Sequence, residues 1–273
     1  QTASSPQITI TPDSLGFLVN VTEGSEQSRT LTISNNGEAQ LEVEIATNSE
    51  VVLDVDGNIY STVQIGDQVW MAENLKVTHY RDGTPITNIT DNATWGSLTT
   101  EAYCIYNNNA LNEVDIYGVL YNWYAVVDAH NIAPEGWHVP SDAEWQELEM
   151  ALGMSQSDAN DIGWRGTNQG SKLAGNADLW NNGDLENDAE FASSGVTILP
   201  GGFRNFSGGH YSDLHTHGDF WTLTEVNSFD SFYRNLGNNN SDIHRNGADK
   251  RLGFTVRLLS DSDINQNHWL STI

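Results

Sequence analysis

The chain has 273 residues, and its 37 Asp and Glu against 11 Lys and Arg give a formal net charge of −26 at pH 7. So acidic a chain is repelled by DNA, RNA and anionic membranes, and we expect no nucleic-acid partner. It contains no run of about 20 apolar residues that could span a bilayer, and no leader with a charged and then an apolar region is expected at its N-terminus.

The N-terminal part, up to residue 48, predicts a small all-β domain. Strand candidates lie at 8–10, 15–19, 28–34 and 40–46, and apolar and polar residues alternate in the last two. Turn residues at 35–38 would join these two into a hairpin with one solvated face. The segment is similar to the opening half of a bacterial immunoglobulin-like module. Its open strand edges could be covered by the next domain or could add a strand to another copy, giving a homo-oligomer.

A second domain is predicted from residue 49 to 260, followed by a C-terminal tail at 261–273. Near its start, Asp54, Asp56 and Gly57 mark a tight turn between short strands. Aspartates at alternate positions before a glycine also begin calcium loops, but the acidic residue that closes such a loop is missing here. A β-hairpin is therefore favoured over a calcium site.

Two helices are predicted in the middle of this domain. The first spans 117–130, where apolar residues recur at helical spacing. The second begins after Ser141, which forms a capping box with Glu144, and ends at Gly153. His138, between the two, is expected to make a local hydrogen bond and not to bind a ligand.

Three strands are predicted in the last third of the chain, at 220–224, 232–236 and 253–258, where aromatic and β-branched residues are frequent. In the middle strand, the two-residue period places Tyr233 and Asn235 together on a displayed face. Aromatic, amide and carboxylate side chains suit recognition, as in antibody paratopes. The candidate ligand-binding residues are His210, Tyr211, Asp213, His215, His217, Asp219, Trp221, Asn227, Phe229, Asp230, Tyr233, Asn235, Asn238, Asn239, Asp242, His244, Asn246 and Asp249.

Six segments carry a family resemblance, in this order: DVDGNIYSTVQIGDQVWMAENL, YGVLYNWYAV, APEGWHVPSDAEWQELE, LPGGFRN, FWTLTE and NGADKRLGFTVRLL. They resemble the Fibrobacter succinogenes major paralogous domain, a family common in surface and secreted proteins of Bacteroidetes. The resemblance implies an α+β, C-type-lectin-like mixed fold with two main helices and short twisted antiparallel sheets, shared with formylglycine-generating enzymes. It also implies a secreted or cell-surface protein, with outer-membrane anchoring as a lipoprotein among the options.

The chain departs from this family at its cysteines. Members often carry cysteines near positions 104, 128 and 258, where this chain has Cys104, Asp128 and Leu258, so the usual disulfides cannot form. Formylglycine-generating enzymes use two active-site cysteines, and the lone Cys104 argues against an oxidase of that type. A related branch binds iron through a histidine cluster. Here His215 and His217 form the one close pair, with His210 and His244 as further candidates, and solvated loop histidines are favoured over a metal site.

Two further interpretations concern the polar residues. Proteins of this fold can be targets of diversity-generating retroelements, which rewrite adenines, and the Asn, Asp, His and Tyr residues of the candidate face fit that pattern. The alternative is that these Asn and Asp side chains bond to their own backbone in Asx turns. The acidic loop with Asp184, Glu186 and Asp188 is a weak calcium candidate, and a solvated loop is favoured.

Three functions follow as expectations. The favoured one is a non-enzymatic surface or secreted module that binds a protein or glycan through residues 209–249 and needs no cofactor. The second is a metal-dependent enzyme of the formylglycine-generating or iron-oxidase line. The third is a structural adhesin or assembly subunit, in which residues 1–48 add a strand to a neighbour.

Overall fold

The structure is a computed structural model that describes residues 8–11, 32–35, 51–109 and 113–261. The chain divides into two units, Gln1–Asn48 and Ser49–Ile273. In the first unit, strand β1 (Ile8–Thr11) pairs antiparallel with β2 (Thr32–Asn35). The predicted strands at 15–19 and 40–46, and with them the predicted hairpin, lie outside the described residues.

The second unit mixes α and β structure, and most of its sheets are small and antiparallel. Its described strands are β3 (Val52–Leu53), β4 (Ile59–Tyr60), β5 (Thr62–Ile65), β6 (Gln68–Met71), β7 (Tyr103–Cys104), β8 (Leu120–Tyr121), β9 (Trp137–His138), β10 (Gly163–Arg165), β11 (Gly201–Arg204), β12 (Tyr211–Leu214), β13 (His217–Glu225), β14 (Asp230–Gly237), β15 (Ile243–Asp249) and β16 (Leu259–Ser260). Its described helices are α1 (Asn92–Gly96), α2 (Val114–Tyr117), α3 (Trp123–Val126), α4 (Asp142–Ala151), α5 (Gln156–Asn160) and α6 (Gln169–Leu173). In these parts of the chain no helix has the length and apolar character needed to cross a bilayer.

Two four-stranded sheets organise this unit. One has the order β5-β6-β16-β9, and the other has the order β10-β15-β14-β13. All of their strand pairs are antiparallel. Two-stranded pairs β3-β4, β7-β8 and β11-β12 complete the described β structure of this unit. The second four-stranded sheet, which we call the central sheet, carries the residues discussed below.

Helix α4 confirms the predicted capping box. The Ser141 hydroxyl accepts from the Glu144 backbone N–H, and the Glu144 carboxylate accepts from the Ser141 N–H at 2.7 Å. The helix ends at Ala151 with Leu152 as its C-cap, and Gly153 follows with a φ of +100°, a conformation that favours glycine. Because its signals are local, this helix could be read from sequence alone.

The predicted helix at 117–130 is wrong. The chain instead forms short helices α2 and α3, with strand β8 between them pairing with β7. Gly118 ends α2 with a φ of +78°, and Asn122 then caps α3 by accepting from the Ala125 backbone N–H. Strand pairing with β7 and the bridge from Tyr121 to Phe254 therefore override the helical spacing of the apolar residues.

The predicted strand at 253–258 is also wrong, apart from its extended character. Gly253, Phe254 and Thr255 each make an isolated bridge to a different segment, and the strand β16 begins later. The buried guanidinium of Arg257 donates to Asn74 Oδ1 and to the carbonyls of Met71, Val196 and Thr197. This segment joins several elements and does not run along one neighbour.

The predicted hairpin around Asp54 is confirmed, since β3 pairs with β4 across it. The Asp54 carboxylate accepts from the N–H groups of Asp56 and Asn58, from the Asn58 amide and from the Tyr60 hydroxyl at 2.6 Å. These donors occupy both carboxylate oxygens. Asp54 therefore stabilises a turn, as the favoured interpretation had it.

One face of the central sheet packs against α4 through a buried ion network. Arg234 pairs with Asp142 at 2.7 Å and with Glu149 at 2.6 Å, Arg245 pairs with Asp142 at 2.6 Å, and Arg165 pairs with Glu149 at 2.7 Å. The five side chains are nearly inaccessible to solvent. We call this side of the central sheet the paired face.

Candidate functional site

The opposite face of the central sheet holds four side chains in one row across its four strands. Trp164 on β10 is the register partner of His244 on β15, which pairs with Asn235 on β14, which pairs with Asp219 on β13. Register partners on neighbouring strands point to the same side of a sheet. We call these four residues the cavity row.

A cavity of about 250 Å³ opens over this row. Beside the cavity row it is lined by Phe203 from β11, Asp213 from β12, His217 from β13 and Tyr233 from β14. Two sheets thus contribute walls, because β11 and β12 form their own pair. We call the side of the central sheet that bears this cavity the cavity face.

Aromatic packing fixes the cavity walls. Trp164 lies 5.0 Å from His244 between ring centroids, and the Tyr233 ring stacks on the buried Phe254 at 5.1 Å. Phe203 meets the same Phe254 edge-on at 6.0 Å. Rings held in this way are already ordered, so a ligand that contacts them does not have to freeze them.

Asp219 is the most unusual side chain of the cavity. It is only 4 % exposed, and its Oδ1 accepts a hydrogen bond of 2.8 Å from the Asn235 amide. Its Oδ2 has no hydrogen-bond partner in the described structure. Burial raises the pKa of Asp219 to about 7, against the lowering effect of the Asn235 hydrogen bond, and the nearby Asp213 adds to the rise.

The two cavity histidines lie in different electrostatic environments. Burial lowers the pKa of His244, and Arg165, Arg234 and His217 lower it further by repulsion, so its imidazole is neutral near pH 7. His217 Nδ1 lies 3.6 Å from the Asp213 carboxylate.

The basic side chains of the described structure are engaged within the chain. They form ion pairs or hydrogen bonds to backbone carbonyls in every case, namely Lys76, Arg81, Arg165, Lys172, Arg204, Arg234, Arg245, Lys250, Arg251 and Arg257. None of these ten lines the cavity. The cavity therefore combines two carboxylates with aromatic walls and no cationic Lys or Arg from the described residues.

The structure brings together a part of the candidate face predicted from sequence. Six of those residues line the cavity: Asp213, His217, Asp219, Tyr233, Asn235 and His244. Tyr233 and Asn235 share one face, as the strand period predicts. Asn235 is buried, however, because this face is concave and its amide is bonded to Asp219.

Several other candidates lie away from the cavity. Trp221 is fully buried in the core and donates to the Tyr121 carbonyl, which corrects its place on a displayed face. Tyr211 donates to Asn108 and packs on Tyr106, next to the buried Arg204. His210 is exposed beside Asn92.

Turn residues account for most of the remaining candidates. Asn227 Oδ1 accepts from the N–H groups of Phe229 and Asp230, and Asp249 accepts from the N–H of Arg251. The contacts of Asn227 and Asp249 support the Asx-turn interpretation at these two positions. Asn246 lies within β15, and its side chain accepts from the adjacent N–H of Gly247, which is not an Asx turn. The other predicted candidates outside the cavity are Asn238, whose amide donates to the Asn181 carbonyl, the exposed Asn239, and the half-buried Asp242.

The proposed metal pair does not share a face. His215 lies in the turn before β13 with a φ of +67°, and its ring contacts the Leu179 carbonyl, whereas His217 points into the cavity. In the acidic loop, Glu186 accepts from the Gly183 N–H and Asp188 accepts from the Glu190 N–H, while Asp184 is exposed. Within the described ranges, no three His, Cys, Asp or Glu side chains gather in a way that could hold a metal ion.

Sequence reasoning missed two cavity residues, Trp164 and Phe203. Each immediately precedes a buried arginine, as Tyr233 and His244 also do. Neighbouring residues of a strand point to opposite faces, so a buried arginine directs the residue before it toward the other side. Repeated aromatic-Arg pairs were therefore a usable signal.

Comparison with known proteins gives one result. Residues 63–260 match the family model of the Fibrobacter succinogenes major domain. No curated protein and no solved structure matches the chain. The matched segment covers well over half of the chain, and the protein therefore belongs to the Fibrobacter succinogenes major domain family.

Proposed function

We propose that the protein is a non-enzymatic recognition module that binds a protein or glycan ligand in the cavity of the central sheet. The cavity row carries this proposal, since it sets an indole, an imidazole, an amide and a carboxylate side by side on four strands. Aromatic rings supply rigid contact area and the polar groups supply directional hydrogen bonds. Such a surface can bind a ligand through both kinds of contact.

The support behind the cavity favours binding without rearrangement. The residue next to each member of the cavity row points to the paired face, where Arg165, Arg234 and Arg245 are locked by Asp142 and Glu149. A site on strands whose reverse side is fixed keeps its geometry when a ligand enters.

Among the described residues, the cavity lacks hydroxyl, thiol and amine nucleophiles of the Ser, Thr, Cys and Lys type. None of these four residue types is part of its lining in the described structure. Cys104 is buried elsewhere, and burial raises the pKa of its thiol to about 11, so the reactive thiolate is scarce at neutral pH.

The wider setting belongs to the same proposal. The family resemblance supports a C-type-lectin-like fold for the second unit and a secreted or cell-surface location. The separate similarity of the N-terminal segment to a bacterial immunoglobulin-like module supports an immunoglobulin-like character for the first unit. A diversified binding face and strand-mediated assembly through residues 1–48 remain parts of this proposal that sibling sequences and light scattering can test.

The test is a screen of the purified chain against glycan arrays and bacterial and host surface proteins, repeated with Trp164→Ala. Phe229→Ala is the matched control, because Phe229 is an aromatic residue that is 75 % exposed and lies outside the cavity. We expect ligands whose signal is lost in Trp164→Ala and kept in Phe229→Ala. Ligands that depend on Phe229 but not on Trp164 would contradict the proposal.

A further inference from the structure

The carboxylate of Asp219, which lines the cavity, has one oxygen that accepts no hydrogen bond in the described structure. A buried oxygen without a hydrogen bond carries its full desolvation cost, which is why such oxygens are rare. Asp219 lines the cavity, its Oδ1 is already bonded to Asn235, and its buried Oδ2 has no partner in the described structure. A donor from outside the chain is the natural partner for Oδ2.

The sign of the charges favours a cationic donor. Asp213 adds a second carboxylate to the lining, His244 is neutral near pH 7, and the nearest arginines are engaged on the paired face. Beyond the cavity, the net charge of −26 attracts cations and repels anions.

The aromatic walls favour the same kind of group. Trp164, Tyr233 and Phe203 line the cavity, and the faces of such rings attract ammonium groups. A volume of about 250 Å³ lies below the roughly 300–1,000 Å³ of sites for whole drug-sized ligands. The cavity therefore suits one sugar ring or one side chain of a larger partner.

Resting on the proposed function, we infer that the cavity recognises a protonated primary amine, with Asp219 as its hydrogen-bonding counter-ion and Trp164 and Tyr233 as its aromatic walls. The amine can belong to an amino sugar or to a lysine side chain, because both present the same ammonium group on a short carbon frame. Three N–H donors allow the group to serve Asp219 and Asp213 together.

The test compares two pairs of probes by NMR titration at pH 7.5. Glucosamine is paired with N-acetylglucosamine, and Nα-acetyl-lysine methylamide is paired with its Nε-acetylated form, so that acetylation removes the charge within each pair. We expect the charged member of at least one pair to bind at least tenfold more tightly than its neutral partner. The pair that shows the preference identifies the source of the amine.

Variants locate the preference. In Asp219→Asn the hydrogen bond to Asn235 can persist while the charge is lost, and we expect the tenfold preference to disappear. Asp213→Asn serves as a second variant, since Asp213 is exposed and Asn tolerates its φ of +64°; it should reduce the preference severalfold. Asp184→Asn removes a charge from an exposed loop outside the cavity and should leave the preference unchanged.

Three results would overturn the inference: no binding of either charged probe, equal binding within both pairs, or a preference that survives in Asp219→Asn. The proposed function is judged separately. If a neutral ligand binds and its binding is lost in Trp164→Ala, the cavity is still a recognition site, but the inference that it recognises an amine is wrong. If the ligands of the protein bind equally well in Trp164→Ala, both the proposed function and the amine inference are wrong.

Discussion

The two faces of the central sheet treat buried charge in opposite ways. On the paired face, three arginines meet two carboxylates at 2.6–2.7 Å. One residue along the same strands, on the cavity face, the carboxylate of Asp219 has no cation and one oxygen without any partner. The same strands thus carry a satisfied network and an unsatisfied group, separated by the thickness of the backbone.

This difference separates a structural role from a binding role. A charge that serves the fold is paired inside the fold, because an unpaired buried charge costs stability. A charge that is left unpaired beside a cavity lowers the stability of the free protein. A ligand that pairs this charge gains binding free energy. Three substitutions test this contrast between the two faces.

The largest effect is expected from Arg234→Met on the paired face. The substitution leaves Asp142 and Glu149 short of a partner inside the protein, and breaking a buried pair costs about 3–5 kcal/mol. Denaturant unfolding measures the change. Arg251→Met is the control, since Arg251 pairs with Asp249 at a partly exposed site where the loss is about 1 kcal/mol or less. Equal losses in the two variants would show that the network does not hold the sheet.

An effect of opposite sign is expected from Asp219→Asn. Because the folded protein holds the Asp219 proton up to a pKa of about 7, it binds more protons than the unfolded chain between about pH 4 and 7. The free energy of unfolding of the wild type therefore falls as the pH rises through this range. Asp219→Asn removes this fall and stabilises the protein at pH 8 by about 1–3 kcal/mol.

Unfolding curves at pH 5 and pH 8 test this point. The titratable groups that share the cavity with Asp219 are Asp213, His217, Tyr233 and His244, and they are unchanged in the variant. Asp213 and Tyr233 interact with Asp219, so the difference between variant and wild type reports the titration of this coupled set. A variant that is less stable than the wild type at pH 8 would mean that Asp219 is paired in solution.

The smallest effect is expected at His138, where a charge is paired at the protein surface. His138 Nε2 lies 2.9 Å from the Glu144 carboxylate and His138 Nδ1 lies 2.5 Å from the Asp261 carboxylate, and the protonated imidazole donates to both. The contact with Glu144 is the predicted local hydrogen bond. The hydrogen bond with Glu144, above all, raises the pKa of His138 despite partial burial. Its stabilisation is complete below about pH 6.5 and is lost as the pH rises through the raised folded-state value.

His138→Gln should accordingly cost about 1 kcal/mol at pH 5.5 and little at pH 9, as measured by thermal unfolding at both values. The pH trend has the same direction as that for Asp219, because both pKa values are raised in the folded protein. The two groups differ in that His138 stabilises the fold when it is charged, whereas Asp219 destabilises the fold when it is charged. A loss that is the same at both pH values would assign the contribution of His138 to packing alone.

The elements that sequence alone predicted are those whose signals are local. The capping box at Ser141, the turn at Asp54 and the strands around Phe220 and Arg234 were all found in this way. The failures share a cause as well. The helix predicted at 117–130 gave way to pairing of Tyr121 with Tyr103 and Phe254, which both lie outside the predicted helix, and the pattern within the segment does not identify such partners.

The candidate site was predictable in composition but not in arrangement. Tyr233 and Asn235 follow from the period of one strand, whereas the cavity row depends on the register of four strands, of which β10 is separated in sequence from the consecutive strands β13, β14 and β15. Trp164 was missed for this reason, and Trp221 was included because an aromatic residue on a strand does not reveal whether it faces the core.

The most direct measurement is the pKa of the Asp219 carboxyl group, followed by carbon-detected NMR in the free protein and with saturating glucosamine or Nα-acetyl-lysine methylamide. We predict a pKa near 7 for Asp219 in the free protein and a pKa at least about one unit lower when the charged probe is bound. A value near 4 in the free protein, or one that neither probe changes, would contradict it.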